Sequence, residues 1–435
     1  MLKLLLGASG SGKTTLLYQR IRARAEAGGR SILLVPEQFT SSTEGRIHRE
    51  LGDALSGLVE SFSFTSLAEH ILSAEGGSAV QTLSDAGRAV LVRRALEELQ
   101  DNVHYYYRHR RSAAFCQMAA ETIDELKSAG LSGQRLYALA QECGADSAKL
   151  SELALIFQGY ETLLAGTGMD PSDRLTLAAS RLENALARGG LPEFLRGREV
   201  FIDEFDTFNA PKKRLMGALL ASLPTVTVAL CDDGAPLIPG DMSLFSGAKQ
   251  VAAQLRQLAR RSGTEVAVPE LLRRDVRHAD APGLAAAARL LASGQCDPPP
   301  ACPEIKLFAA PSREEEARAA AAAIRRLMRQ GVRCGRVAVV CRDIAKYRAA
   351  VRYEFRMADI PLYCDEPTTP EFSAPATAVR CLLAIARGAE LTEQLTTLAK
   401  TGLCALTEEE VCALENYAYT CLLYTSPSPR DGLLS

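Results

Sequence analysis

A glycine-rich loop close to the N-terminus constrains the fold more than any other feature of the sequence. It runs Gly7-Ala-Ser-Gly-Ser-Gly-Lys-Thr14 and matches the pattern G-x-x-x-x-G-K-[ST] at every required position. The apolar residues 2–6 before it predict a buried strand, and the leucines after it predict a helix. Backbone N–H groups in such a loop converge on one anion at the positive end of the helix dipole. The segment therefore predicts an α/β fold with a parallel sheet and a nucleoside triphosphate site.

Individual residues of this loop have distinct expected roles. Lys13 is expected to act catalytically by reaching the β- and γ-phosphates of ATP, and the Thr14 hydroxyl is expected to ligate Mg²⁺. A glycine-rich turn that binds nothing is the alternative, but the flanking strand and helix are the context that the motif requires. ATP binding is predicted, whereas hydrolysis is left open. The predicted cofactor-binding residues are Gly7, Ala8, Ser9, Gly10, Ser11, Gly12, Lys13, Thr14 and Thr15.

Composition excludes several classes of protein. The 435 residues carry a net charge of −2, so contacts with nucleic acid would have to come from local basic patches. No apolar run approaches the ~20 residues of a membrane span, which predicts a cytoplasmic protein without a membrane partner. Twelve cysteines form no C-x-x-C pair, and only five histidines could join them as ligands. Free thiols are therefore favoured over a metal site.

The alternation of strands and helices is interrupted once by a long helical stretch. Beyond a proline-rich linker, apolar segments at 305–308 and 337–340 predict the strands of a second α/β unit. The last residues do not continue the strand and helix patterns of the rest of the sequence, which predicts a non-native tail on a fragment of a longer protein. The predicted divisions are 1–75 and 195–296 for the first α/β domain, 76–194 for the helical insertion, 297–303 for the linker, 304–421 for the start of the second domain and 422–435 for the tail.

An apolar strand that ends in two acids provides a candidate partner for the loop. The residues Val200-Phe-Ile-Asp-Glu204 would bring Asp203 to the same edge of the sheet as Thr14. Asp203 could then hold Mg²⁺ through water, and Glu204 could polarise an attacking water. An ordinary acidic pair at a strand end is the alternative. The sequence Asp-Asp-Gly at 232–234 is either a phosphate sensor or a plain turn.

Three segments are candidates for contacts with DNA. Phe62 and Phe64 could stack on bases, although alternating phenylalanines are more often core residues. Residues 104–111, His-Tyr-Tyr-Tyr-Arg-His-Arg-Arg, predict either a single-strand contact or a solvated loop between helices. Residues 212–214, Lys-Lys-Arg, are interpreted as a solvated helix face.

The order of these segments resembles the N-terminal part of the AddB family, the B subunits of the bacterial AddAB ATP-dependent helicase–nucleases. The resemblance extends from the loop through ILLVPEQFT at 32–40 to VAVVCRDIAKYRAAVRYEFRMADIPLY at 337–363. The other segments that carry it are VESFSFTSLAEHIL at 59–72, ETIDELKSAGLS at 121–132, VFIDEFDTFNAPKKRLM at 200–216 and REEEARAAAAAIRRLMRQG at 313–331.

The resemblance implies a P-loop NTPase of UvrD-like helicase architecture, with two RecA-like domains and an α-helical insertion. Arg342 matches the arginine that such motors direct at the γ-phosphate and is a third candidate catalytic residue beside Lys13 and Glu204. The resemblance also implies a heterodimer with an AddA-like helicase–nuclease subunit and contacts with single-stranded DNA and duplex ends. An iron–sulfur cluster is implied for the nuclease domain of full-length members, not for this chain.

Three hypotheses about function remain. The first is an ATP-binding, helicase-like subunit of a complex that resects DNA double-strand breaks during recombinational repair, as part of an ATP-dependent helicase and exonuclease. The second is a DNA-recognition scaffold with a structural ATP site. The third is a P-loop kinase of a small molecule, which the second α/β unit disfavours.

Overall fold

The computed structural model describes residues 1–76, 81–294, 302–364 and 373–420 and divides the chain into two compact units. The first unit is Met1–Lys306 and the second is Leu307–Ser435. Most of the predicted linker and all of the predicted tail lie outside the described residues.

A six-stranded sheet forms the centre of the first unit. Its order is β3-β2-β4-β5-β1-β6, and every pair of neighbouring strands is parallel. The α/β fold with a parallel sheet is therefore confirmed. The strands are β1 (Leu2–Gly7), β2 (Ser31–Leu34), β3 (Val59–Phe62), β4 (Glu199–Ile202), β5 (Val226–Cys231) and β6 (Glu270–Leu272).

Apolar side chains on both faces of the sheet are covered by helices. Leu4 faces a cluster built with helices that follow β3 and β4, whereas Leu5 faces a cluster built with the helix after the glycine loop. Continuous apolar runs such as residues 2–6 suit strands that are buried on both faces. The helices of this unit are α1 (Lys13–Glu26), α2 (Thr40–Leu51), α3 (Asp53–Ser56), α4 (Phe64–Ala74), α5 (Asp85–Glu98), α6 (Ala113–Ser128), α7 (Gly133–Ala140), α8 (Ser147–Thr167), α9 (Pro171–Ala187), α10 (Ala210–Ser222), α11 (Ser246–Arg261) and α12 (Pro282–Ser293).

The helices between β3 and β4 contribute to two different cores. Helices α5, α6 and α8 enclose a separate apolar cluster around Phe157 and Tyr160, both fully buried. Helix α9 instead packs against α4 and α10, and its Leu182 belongs to the core beside the sheet. The described residues of the predicted insertion are thus mainly helical, but its helix α9 covers the sheet.

The second unit contains helices among its described residues but no strand. The helices are α13 (Arg313–Arg329), α14 (Ile344–Met357), α15 (Ala374–Ala386), α16 (Leu391–Ala399) and α17 (Glu408–Thr420). The strands predicted at 305–308 and 337–340 are wrong, and the side chains of Leu307 and Val340 are exposed. A strand forms only by pairing with another strand, and neither segment has such a neighbour among the described residues.

Within the described ranges, no helix is both long and apolar enough to cross a bilayer.

Candidate nucleotide site

The glycine loop curls back over its own lysine. Gly10 and Gly12 have positive φ angles of 84° and 90°, a conformation that side chains disfavour. The Lys13 ammonium donates hydrogen bonds to the carbonyl oxygens of Gly7, at 2.7 Å, and Ala8, at 2.8 Å. Burial lowers the pKa of Lys13, while the charges of nearby acidic groups oppose this shift. The loop's own carbonyls therefore hold the ammonium beside the loop.

Asp203 lies beside the first residues of α1 although it is far from them in sequence. It follows β4, which is separated from β1 by β5 alone in the sheet. Its carboxylate accepts a hydrogen bond from the Glu204 backbone N–H at 3.0 Å, and it lines the same cleft as Thr14. Burial raises the pKa of Asp203, while the Thr14 side chain, the Glu204 N–H and the Lys13 charge oppose the rise. A hydroxyl from the loop and a carboxylate from the end of β4 thus line one cleft.

Glu204 adopts a backbone conformation that is rare for its residue type. Its φ angle is 65°, in the left-handed region that favours glycine. Burial and the neighbouring Asp203 raise the pKa of its carboxyl. Strain of this kind is concentrated at functional sites, because the surrounding structure has to maintain it.

The strain at Glu204 predicts that a glycine variant is more stable than an alanine variant there, which is the reverse of the usual order. Glu204→Gly should be more stable than Glu204→Ala by about 1 kcal/mol, because only alanine keeps a Cβ atom in the left-handed region. The free energy of unfolding in urea measures the difference. At Asp206, which has no positive φ, the alanine variant should be at least as stable as the glycine variant. Equal stability of the two Glu204 variants would contradict the strain.

A cleft of about 620 Å³ opens above the loop and collects most of the predicted residues. Three of the nine loop residues do not line it, and one of them, Ser11, is buried with its hydroxyl unpaired. The predicted residues that line the cleft are Ser9, Gly10, Gly12, Lys13, Thr14, Thr15, Asp203 and Glu204.

A segment after β6 lies directly on the glycine loop, and the sequence patterns did not predict this contact. The backbone N–H groups of Val276 and Arg277 both donate to the Gly10 carbonyl, at 2.9 and 3.1 Å. The Arg277 guanidinium donates to the Ser9 hydroxyl at 3.3 Å. The basic residues within 273–277 are the sequence feature that could have indicated this contact. They follow a strand of only three residues, which has no clear periodicity.

A second arginine on the cleft comes from α2. Arg46 lines the cleft and places its guanidinium 4.6 Å from the centre of the Tyr18 ring. Its charge also opposes the rise in the pKa of Asp203 and of Glu204. Three cations, Lys13, Arg46 and Arg277, therefore line a cleft that also contains two adjacent acids, an arrangement suited to a polyphosphate with a divalent cation.

Comparison with known proteins identifies the family. The family model described as "ADDB, N-terminal" matches residues 4–286. The chain belongs to the AddB family.

Relatives of the chain include the B subunits of several bacterial ATP-dependent helicase/deoxyribonucleases. The one from Moorella thermoacetica is 31% identical over 433 residues, covering 96% of this chain and 37% of that protein. The one from Symbiobacterium thermophilum is also 31% identical, with the same coverage. The one from Clostridium perfringens is 28% identical over 379 residues, covering 84% of this chain and 32% of that protein. The chain thus spans 37% of the length of the first of these AddB relatives.

Arg342 lies in the second unit. It precedes Asp343, whose carboxylate caps α14 by accepting the Lys346 N–H at 3.4 Å. Since the cleft is described by residues of the first unit alone, the role assigned to Arg342 from the AddB resemblance remains a prediction.

Local contacts bear on two of the open interpretations. Asp232 accepts the Gly234 N–H at 2.7 Å, which is a hydrogen bond typical of a turn, and the role of a phosphate sensor stays a prediction. Phe64 is only 2% exposed and packs edge-to-face against Phe205 and Phe208. Phe64 is therefore a core residue and is not available for stacking on a base.

Proposed function

We propose that the first unit binds Mg·ATP in this cleft as a P-loop NTPase of UvrD-like architecture. The convergence of Thr14 and Asp203 on one cleft, where the Thr14 side chain acts on the Asp203 carboxyl to lower its pKa, is the observation that supports the proposal most. Two segments separated by most of the domain meet there, with the oxygen ligands that Mg²⁺ prefers. An acidic pair without a function would not need to approach the one hydroxyl that the loop motif assigns to the metal.

The donor set fits a magnesium ion that a nucleotide brings with it. Among the described residues, no group of three or more acidic, histidine or cysteine side chains could form a metal cage. Mg²⁺ commonly takes one or two protein oxygens and completes its shell with phosphate oxygens and water. When bound, the ion would neutralise phosphate charge. Thr14 and Asp203 are the residues that would hold it.

The remaining side chains of the cleft have complementary roles in this proposal. Lys13 exchanges the carbonyls of Gly7 and Ala8 for the β- and γ-phosphates. Arg277 lies on the loop and adds positive charge beside Ser9. Glu204 orients a water for attack on the γ-phosphate, and its raised pKa lets it accept a proton more readily than an ordinary glutamate.

The wider assignment follows from the AddB family. We propose that residues 1–75 and 195–296 form one RecA-like domain. We also propose that 304–421, which contain no strand among their described residues, begin a second such domain, and that Arg342 acts from it. The chain would then be the ATP-binding, helicase-like part of an AddB protein, which processes DNA ends together with an AddA-like helicase–nuclease partner.

Calorimetric titration with ATP, in Mg²⁺ and in excess chelator, tests the magnesium site. Mg²⁺ should strengthen the binding of ATP to the unmodified chain. In the Asp203→Asn variant, the increase in ATP affinity that Mg²⁺ causes should be about tenfold smaller, because the amide keeps the size of the side chain but not its charge. The matched control is Asp101→Asn, at an exposed acid that does not line the cleft. Equal ATP affinity with and without Mg²⁺ in the unmodified chain would refute the site.

A further inference from the structure

The segment between α5 and α6 concentrates rings and cations on the surface of the insertion. Residues 104–111 comprise three tyrosines, three arginines and two histidines. Tyr105 is 51% exposed, and the side chains of Arg108 and Arg111 are exposed as well. A solvated loop would be expected to expose polar groups, but not a large aromatic ring between cations.

The backbone of this segment is held in place by one carboxylate. Glu152, from α8, accepts the backbone N–H groups of His104 at 3.0 Å, Tyr105 at 2.8 Å and Tyr106 at 3.2 Å. The ring of Tyr106 also stacks on Phe115, with 5.5 Å between their centres. The exposed side chains therefore project from a fixed backbone, which lowers the entropic cost of binding.

Two arginines of the segment lie against aromatic rings. The Arg110 guanidinium lies 4.0 Å from the centre of the Tyr107 ring, and the Arg108 guanidinium lies 5.9 Å from that of Tyr105. In the part of the chain that the structure describes, no ion pair joins Arg108, Arg110 or Arg111 to an acid. The neighbouring acid, Glu152, is engaged by backbone N–H groups.

We propose that residues 104–111 are a contact for single-stranded DNA, in which Tyr105 stacks on a base and Arg108 and Arg111 bind flanking phosphates. Aromatic rings interleaved with cations are the chemistry that binds unpaired nucleic acid without reading its sequence. Bases in a duplex have no free face for an exposed ring, so the contact favours single strands. The inference rests on the proposed function and adds to it a surface that is separate from the nucleotide cleft.

The absence of tryptophan from the sequence allows a direct test of stacking. In the Tyr105→Trp variant the only indole occupies the proposed stacking position, so its fluorescence should be quenched in a saturable way by oligothymidine. A blunt duplex of the same length should quench it much less. The control is Tyr353→Trp on α14, at a tyrosine with 62% exposure in the second unit, where little quenching is expected.

Fluorescence anisotropy of labelled oligothymidine tests the cations and the ring. Arg108→Glu and Tyr105→Ala should each weaken binding about tenfold, and the Arg108→Glu variant should show a shallower dependence on salt. Arg181→Glu, at an exposed arginine of α9, makes the same charge change elsewhere and should alter affinity less than twofold. Equal melting temperatures exclude a loss of folding.

Two outcomes would overturn the inference. In the first, oligothymidine binds, but it does not quench the indole fluorescence of Tyr105→Trp and its affinity does not change in Arg108→Glu. In the second, the unmodified chain does not bind oligothymidine at low salt. Calorimetric titration of the same variants with Mg·ATP reports separately on the proposed function, which fails only if the nucleotide does not bind.

Discussion

Replacing Lys13 with alanine is expected to lower the affinity for ATP by roughly 100-fold or more while leaving the fold intact. Lys13 lines the cleft, and its ammonium is held by the carbonyls of Gly7 and Ala8. When a triphosphate replaces those carbonyls, the ammonium gains charge-assisted hydrogen bonds in a partly buried site. Removing one partner of such a pair costs about 2–5 kcal/mol, because the phosphate charge then remains uncompensated.

The stability of the Lys13→Ala protein should change little. The two carbonyls that the ammonium leaves are only partly buried, and water can enter the space of the removed side chain, so the expected cost is about 1 kcal/mol. Calorimetry with Mg·ATP and unfolding in urea measure the two effects on the same samples. Lys3→Ala, at a half-buried lysine in β1, is the matched control and should keep full affinity. Unchanged ATP affinity in a folded Lys13→Ala protein would refute the assignment of the site.

Much of the first unit could be predicted because its signals are local. The strand before the loop, the helix after it and the strand that ends at Asp203 each have an apolar pattern in consecutive residues. The loop motif itself needs no information from elsewhere in the chain, since its glycines encode the backbone conformation directly.

The residues that were missed depend on distant contacts. Arg277 reaches the loop only because β6 pairs with β1, and a strand of three residues leaves no periodic signal. Arg46 is one of several exposed or half-exposed cations on α2, and nothing in the sequence distinguishes it as the one that meets Tyr18. The apolar segments 305–308 and 337–340 have strand-like composition, but composition does not supply a neighbouring strand.

The helical insertion contains a buried network of charges that sequence patterns do not reveal. Asp170, which is fully buried, follows α8 and accepts hydrogen bonds from Lys127 at 2.7 Å and from the Tyr160 hydroxyl at 2.5 Å. The guanidinium of Arg88 lies 3.6 Å from the same carboxylate. Although burial lowers the pKa of Lys127, its hydrogen bonds to Asp170 and Asp173 raise it above the usual value. Side chains from three helices thus depend on one carboxylate.

Asp170→Ala is therefore expected to destabilise the first unit by about 3–5 kcal/mol, more than any other single substitution considered for this chain. Removing one partner of a buried ion pair leaves its counter-charges buried and uncompensated. Here Lys127 and Arg88 would lose the fully buried acceptor that they share and would keep only partners that are more exposed, such as Asp173 and Asp124. Urea unfolding followed by circular dichroism measures the loss. The control is Asp173→Ala, which removes a second partner of Lys127 at a carboxylate that is 37% exposed, and which should cost about 1 kcal/mol or less.

A double variant separates the charge from the packing. If the loss in Asp170→Ala comes from buried charge, then adding Lys127→Met should restore part of the stability, because methionine fills the space of the lysine stem without a charge. If the loss comes from the cavity alone, the second substitution should not help. Additive losses in the double variant would contradict the network, since residues in one hydrogen-bonded cluster are expected to be coupled. Recovery would show that Asp170 is retained to neutralise the cations that join α5 and α6 to the start of α9.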